Sequence, residues 1–343
     1  MYLKALTNVT AKTIAEHLGL SIATVDRVLN NRGNVKRETY EKVIETAEEL
    51  GYKPNKLARF LSRKTEYRVA LVYPKYVKFF WEQVEVGIKS ALDELSDYGL
   101  RVDTFRTSSP RIPARDVIRK LIDSDNYQGI AIAPGEEDLS DLINDGVARG
   151  IKICTFNQDA KKSDRLFYVG ANYREAGRLA GELTCKFCGR SGKVAIFGAN
   201  DDFQTTEKNK GFFEVAEFYP ELEVLGPYSL AGPSYSEEQL KYVLQGVSGV
   251  YVSTAELGDV AELVSTQSLR DLVMVGHDMN QQMLEYLEEG IVTATINQDP
   301  AGQGYFALTN LFQQLAYEGI DGSVEGVDVR LEVIMKENAK FYI

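Results

Sequence analysis

Residues 10–30 read TAKTIAEHLGLSIATVDRVLN, and this stretch decides how the first sixty residues fold. Ile14, Ala15 and Leu18 fall on one helical face behind Thr10, which predicts an N-cap whose hydroxyl satisfies an otherwise orphaned backbone N–H. Gly19 then interrupts, and glycine adopts the left-handed conformation that a tight turn between two helices requires. Ser21 predicts a second cap, opening a helix over IATVDRVLN with Val25, Val28 and Leu29 facing inward. A small residue where the helices cross (Ala15), a glycine four positions later and a valine six after that make up the helix-turn-helix pattern. A third helix over RETYEKVIETAEEL (37–50) is expected to bury Tyr40, Val43, Ile44, Ala47 and Leu50 and to stop at Gly51.

The charge around this stretch is unlike that of the rest. Residues 1–65 hold 12 Lys+Arg against 7 Asp+Glu, a net of +5 in a chain whose total is −11, so the remainder carries −16. A basic head on an acidic body is expected when only the head approaches a polyanion; a solvated helical surface is the alternative reading of the charge alone.

The segment from Thr10 to Lys64 resembles the DNA-binding head and hinge of the lactose-repressor (LacI/GalR) family of bacterial transcription regulators, and the resemblance runs without a gap. It implies that the second helix lies in the major groove, with Ile22, Ala23 and Arg27 at the base-reading positions. Ile22 and Ala23 are apolar and suit a thymine methyl, which leaves Arg27 as the candidate for a guanine contact. Thr10, Ser21, Thr24, Asn30, Asn34 and Lys36 are the implied backbone contacts. Two positions depart from the family: Asp26 replaces a usual serine and would repel phosphate, and Lys36 replaces a serine cap but offers a cation. After Pro54, NKLARFLSRK has helical apolar spacing yet is too short to be a stable helix alone. In the family such a hinge folds on DNA and wedges a leucine into the minor groove, a match falling on Leu61 with Asn55, Lys56 and Ala58 beside it. An ordinary linker is the alternative.

From Tyr67 onward, short β-branched runs alternate with amphipathic helices: RVALVYP, a helix from FFWEQV, LRVDTFR, a helix from ARDVIR, GIAIAP, a helix from LSDLIN, then KICTFN. A second set of the same rhythm begins near residue 173 and ends at TATINQ. This predicts two parallel sheets covered on both faces, with ligand sites at the carboxyl ends of the strands. The helix PAGQGYFALTNLFQQLAYEG and the strand DVRLEVIM are expected to return the chain across the lobe boundary. The fold class expected is therefore a small all-α helix-turn-helix head plus an α/β body of two Rossmann-like lobes. The head would cover 1–53, the hinge 54–66 and the body 67–343, with a first lobe of about 67–170 and 299–323 and a second of about 171–298 and 324–343.

That body resembles the type I periplasmic sugar-binding proteins. The resemblance implies an effector site with Phe80 and Trp81 as an aromatic wall and with Asn157, Asp278 and Gln298, and Gln158 nearby, as polar contacts. A sugar has apolar faces ringed by hydroxyls, which suits flat walls and planar bidentate groups. Where relatives often place an arginine and an Asn or Asp, this chain has Thr206 and Lys208, then Thr254 and Ala255. Lys208 and Thr254 join the candidate set, and the polar count favours a neutral sugar or polyol. The aromatics as plain core residues, and each Asn, Asp or Gln as a turn former, are the competing readings.

At 343 residues the chain is long enough for two or three domains, and 44% apolar with 26% charged residues lies in the globular range. Three cysteines imply a reducing cytoplasm rather than a disulfide framework, and neither a secretory leader nor an 18-residue apolar window is visible. Cys185 and Cys188 form a lone CxxC with no second pair, which predicts neither zinc nor redox chemistry. No catalytic triad or nucleotide-binding glycine motif stands out. The chain ends at FYI without a leucine heptad tail, so a dimer is expected. The whole implies a cytoplasmic, homodimeric, ligand-responsive regulator of a pseudo-palindromic DNA operator, without catalytic residues, metal or cofactor. Its rivals are the same architecture sensing a nucleobase or a sugar phosphate, and an enzyme carrying a DNA-binding head.

Overall fold

The computed structural model describes residues 9–29, 33, 35–50, 52, 65–108, 111–135, 137–199, 202–230, 237–266, 272–316 and 326–343. The chain divides into two units, Met1–Thr65 and Glu66–Ile343.

In the first unit, α1 (Ala11–Leu18), α2 (Ile22–Leu29) and α3 (Arg37–Glu49) follow one another. Thr10 and Thr13 form a reciprocal cap, each side chain accepting from the other's backbone N–H at 3.2 Å. Gly19, at φ 65°, ends α1 in the left-handed conformation. Ser21 accepts from the Thr24 N–H at 3.1 Å and so caps α2. Ile14, Ala15, Val25, Val28, Val43 and Ala47 are the buried core, with Leu18, Leu29, Ile44 and Leu50 packed partly against it. Tyr40 corrects an expectation: it is 39% exposed rather than core. It sits in the first turn of α3, one turn before Val43, and at such a rim a tyrosine keeps its hydroxyl in water. Lys36 precedes α3 without a side-chain capping bond.

The second unit holds two six-stranded sheets. The first lobe contains β1 (Tyr67–Pro74), α4 (Lys78–Leu95), β2 (Leu100–Thr107), α5 (Ala114–Asp123), β3 (Gly129–Ile132), α6 (Ser140–Ala148), β4 (Lys152–Phe156) and β5 (Tyr168–Gly170). The second contains α7 (Tyr173–Phe187), β6 (Gly192–Phe197), α8 (Phe203–Ala216), β7 (Leu222–Tyr228), α9 (Glu237–Gln245), β8 (Gly249–Val252), α10 (Leu257–Thr266), β9 (Val273–His277), α11 (Gln281–Glu288) and β10 (Ala294–Asn297). Then α12 (Pro300–Ala316) returns to pack along α4, β11 (Val327–Asp328) joins the first sheet and β12 (Glu332–Ile334) the second. The orders are β11-β5-β4-β3-β1-β2 and β12-β10-β9-β8-β6-β7. Among the described residues the named strands pair in parallel except β10 with β12. Central strands such as GIAI and GVYV are buried at every residue, as sheets covered on both faces demand.

One boundary is corrected. The second lobe does not resume near 324, and DVRLEVIM (328–335) is not one strand. Val327 and Asp328 pair with Val169 and Gly170 in the first sheet, and Thr295–Asn297 receive Glu332–Ile334 in the second. The last crossing therefore falls at 329–331, because alternation of apolar and polar residues suits a strand in either sheet and does not mark where the chain leaves one for the other.

Candidate functional site

In the head, Ala23 and Arg27 lie exposed on the face of α2 opposite buried Val25 and Val28, and Ile22, the helix's first residue, is 52% exposed. Thr10 and Lys36 are exposed as well, and Thr24 is half-buried with its hydroxyl 2.8 Å from that of Ser21. Asn30, Asn34, Asn55, Lys56, Ala58 and Leu61 lie outside the described residues.

In the body, a cavity of about 490 Å³ opens between the lobes at the carboxyl ends of both sheets. Phe80, Trp81, Asn157, Gln158, Lys208, Thr254, Asp278 and Gln298, expected from sequence, all line it. Asn157 follows β4 directly and Asp278 follows β9 directly, with φ of 60° and 68°. Asn and Asp tolerate this left-handed geometry better than other non-glycine residues, and it turns each side chain off its strand at the sheet's edge.

Cross-bonds hold these groups in place. The Asn157 carbonyl accepts from Tyr168 at 2.8 Å and from Tyr173, and its amide nitrogen donates to Gln303 Oε1 at 3.3 Å. Gln303 in turn donates to the Gln298 carbonyl at 2.8 Å. Gln204 of the second lobe donates to Asn157 Oδ1 at 3.3 Å, and Gln83 of the first donates to the Met279 carbonyl at 2.8 Å. Asp278 Oδ1 accepts from Gln298 Nε2 at 2.7 Å. Trp81 is both wall and core: only 6% exposed, it stacks on Tyr73 at 5.3 Å between ring centroids and donates its indole N–H to the Tyr76 carbonyl.

The charges lining the cavity are unbalanced. Among its described residues stand four carboxylates (Glu137, Asp202, Glu256 and Asp278) and one ammonium, Lys208. Burial raises the Asp278 carboxyl above its ordinary pKa, although Lys208 and the Gln298 hydrogen bond pull it back. Burial likewise lowers that of Lys208, against the pull of Asp278 and Asp202. For both partners the loss of water outweighs their mutual attraction. Lys208 Nζ spends one donor on the Ser253 carbonyl at 3.3 Å. Thr254 Oγ1 and Glu256 Oε2 are buried with no hydrogen-bond partner among the described residues. Such orphaned polar atoms mark a place where a ligand or ordered water completes the bonding.

Residues 69–319 match the model of the periplasmic binding protein domain, and residues 10–55 match that of bacterial regulatory proteins of the lacI family. The chain belongs to the lacI family of regulators built on a periplasmic binding protein domain. Catabolite control protein A of Priestia megaterium is 42% identical over 82 residues, 24% of this chain and 25% of that protein. The sucrose operon repressor of Streptococcus mutans is 26% identical over 272 residues, 77% of this chain and 81% of that protein. The alignments thus span from a quarter to four fifths of these relatives' lengths. A sugar-binding protein of a sugar ABC transporter from Bacillus halodurans superposes with a TM-score of 0.72 at 23% identity, covering 80% of this chain and all of that one. That likeness shows the fold.

In this lacI-family chain several lining residues escaped the sequence reading: Tyr76, Glu137, Asp202, Gln204 and Glu256. Asp202 accepts from the Thr205 N–H at 2.9 Å as the N-cap of α8, a signal the sequence did carry. Cys185 is buried in the last turn of α7, with Cys188 half-buried at its end, and burial raises both thiols, Cys185 to about 11. His277 is buried with Nε2 2.7 Å from the Tyr251 hydroxyl, and burial pushes it well below its usual value, so it stays neutral. Among the described residues no group of three His, Cys, Asp or Glu is placed to hold a metal, and no helix is long and apolar enough to cross a membrane.

Proposed function

We propose that this chain is a cytoplasmic, homodimeric transcriptional regulator whose affinity for a pseudo-palindromic operator is controlled by a small neutral sugar or polyol held between the lobes. The observation that carries the reading is the cavity in which Asn157 of the first lobe and Asp278 of the second, each just past a strand end, face one volume. A ligand touching both binds the arrangement in which both are present, so its differential affinity sets the angle between lobes. The angle is the quantity a pair of hinges at a dimer interface would transmit to DNA. Ile22, Ala23 and Arg27 are assigned to base readout, with Thr10, Ser21, Thr24, Asn30, Asn34 and Lys36 on the backbone and Asn55, Lys56, Ala58 and Leu61 in the minor groove.

Four carboxylates against one ammonium disfavour a sugar phosphate, whose dianion would meet net negative charge. Tyr76, an aromatic at the rim 70% exposed, keeps a nucleobase as the second reading. Catalysis is not part of the proposal: His277 is neutral and bonded to Tyr251. The test pairs two measurements. Thermal shift against monosaccharides, polyols, sugar phosphates and nucleobases should give a hit stabilising the protein by about 2.7 kcal/mol at 100 times its Kd. Operator binding, measured by fluorescence anisotropy with and without that hit, should change with it and weaken steeply as salt rises. A hit that leaves DNA affinity untouched, or that is chemically converted on incubation, overturns the reading.

A further inference from the structure

We infer that the inter-lobe cleft contains a second saccharide subsite, so that the preferred effector is a disaccharide rather than a single ring; this rests on the sugar reading above. Beside the first cavity lies a second of about 890 Å³, and the two share Pro134, Gly135, Glu137, Gln158 and Asp202 as common walls. Ligand sites for small molecules run from about 300 to 1,000 Å³, so one ring in the first cavity leaves a contiguous volume of ligand size beside it.

The second chamber repeats the chemistry of the first. Its flat apolar surface is Phe203 of the second lobe, 47% exposed at the start of α8. Across the cleft, Lys161 of the first lobe places its ammonium 4.7 Å from the Phe203 ring centroid, so one face of the ring meets the opposite lobe and borders the chamber with it. Two of the chamber's carboxylates are spoken for within the first lobe. Asp138 accepts from the Ser140 N–H at 3.0 Å, and Asp159 is held by Arg165 and by Thr155 Oγ1 at 2.9 Å. Gln158 and Glu137 stand at the neck, where a planar amide and a carboxylate bond the hydroxyls flanking a glycosidic linkage. Two lysines, Lys161 and Lys162, raise the alternative that a phosphate on a single sugar reaches this chamber. Glu137 and Asp202 at the neck oppose a dianion passing between them, which favours the uncharged second ring.

The chain's single tryptophan, Trp81, lines the first cavity and not the second, so its fluorescence reports what enters the first ring site. The test titrates the whole protein with glucose, galactose, fructose, sucrose, maltose, lactose, cellobiose, trehalose and glucose 6-phosphate. At least one disaccharide should bind about tenfold or more tighter than either of its component rings. Phe203→Ala should remove that gain while leaving the monosaccharide affinity unchanged, and Phe203→Trp should restore it. If monosaccharides bind as tightly as every disaccharide and Phe203→Ala moves neither, the subsite is refuted and the sugar reading stands. An equal loss for both in Phe203→Ala would make the ring a lobe-closure contact and refute it too. A gain for glucose 6-phosphate over glucose that vanishes in Lys161→Ala overturns the disaccharide in favour of a phosphate pocket. No response to any saccharide overturns the sugar reading and the subsite together.

Discussion

Gly177 of α7 lies against the backbone carbonyl of Lys208 in α8, so closely that a β-carbon at 177 would overlap that oxygen. The absent side chain lets α8 sink onto α7, and with it the buried Lys208 comes to line the cleft. Gly87 and the Ala301 carbonyl stand in the same relation in the first lobe, between α4 and α12. Gly177→Ala should therefore destabilise the body by about 1–3 kcal/mol through overpacking and weaken effector binding, because α8 must back away. The control is Gly246→Ala, at an exposed site where no atom lies nearer than 3.6 Å to the new β-carbon. It should stay within about 0.5 kcal/mol of wild type in urea unfolding.

Effector affinity should depend on pH through Asp278, whose pKa burial raises. Sugar hydroxyls donate to the ionised carboxylate, so affinity is full above that pKa and falls as pH drops through it, by up to about tenfold per unit. The fall should begin above the ordinary carboxylate value of about 3.9. The empty protein responds with the opposite sign: a raised folded pKa contributes stability at low pH that is lost as pH rises through it. Titrations from pH 4 to 8 with wild type and Asp278→Asn check this, the variant binding weakly with no such slope.

On DNA, Arg27→Ala should cost about 1–3 kcal/mol on the preferred site and relax choice at one base position per half-site. Loss spread evenly over random sequences would instead make Arg27 a phosphate contact. Competition binding against single-base variants of the operator distinguishes the two.

The paired thiols should be slow to react. With Cys185 near 11 and Cys188 raised by burial, iodoacetamide at pH 8 should label both at least about tenfold more slowly in the native protein than in urea. Rapid native labelling would show a thiolate that the packing does not predict.

What could be read from sequence follows the physics of each signal. Asn157, Asp278 and Gln298 were legible because they come at or just past the ends of apolar strands, and a parallel sheet puts such positions at its ligand-binding edge. Glu256 and Gln204 were not, since they sit where helices begin after a loop, and helix periodicity says nothing of which way the first turn faces. Tyr40 satisfied the apolar spacing of α3 yet lies where the neighbouring helices no longer cover it. The late crossing at 329–331 was hidden for a related reason, because strand alternation names a face but not a sheet. Trp81 lay between two readings, and the structure makes it a core residue with an edge on the cavity.

The three chain crossings fall at about 171–172, 298–299 and 329–331, and they leave from neighbouring strands: β11 beside β5 in one sheet, β12 beside β10 in the other. Three straps side by side along one edge behave as a door's fittings do. They permit folding about the line that joins them and resist twisting or sliding of one plate over the other. A molecule bound between the lobes would thereby act on the rest of the body mainly through one coordinate, the opening of the door.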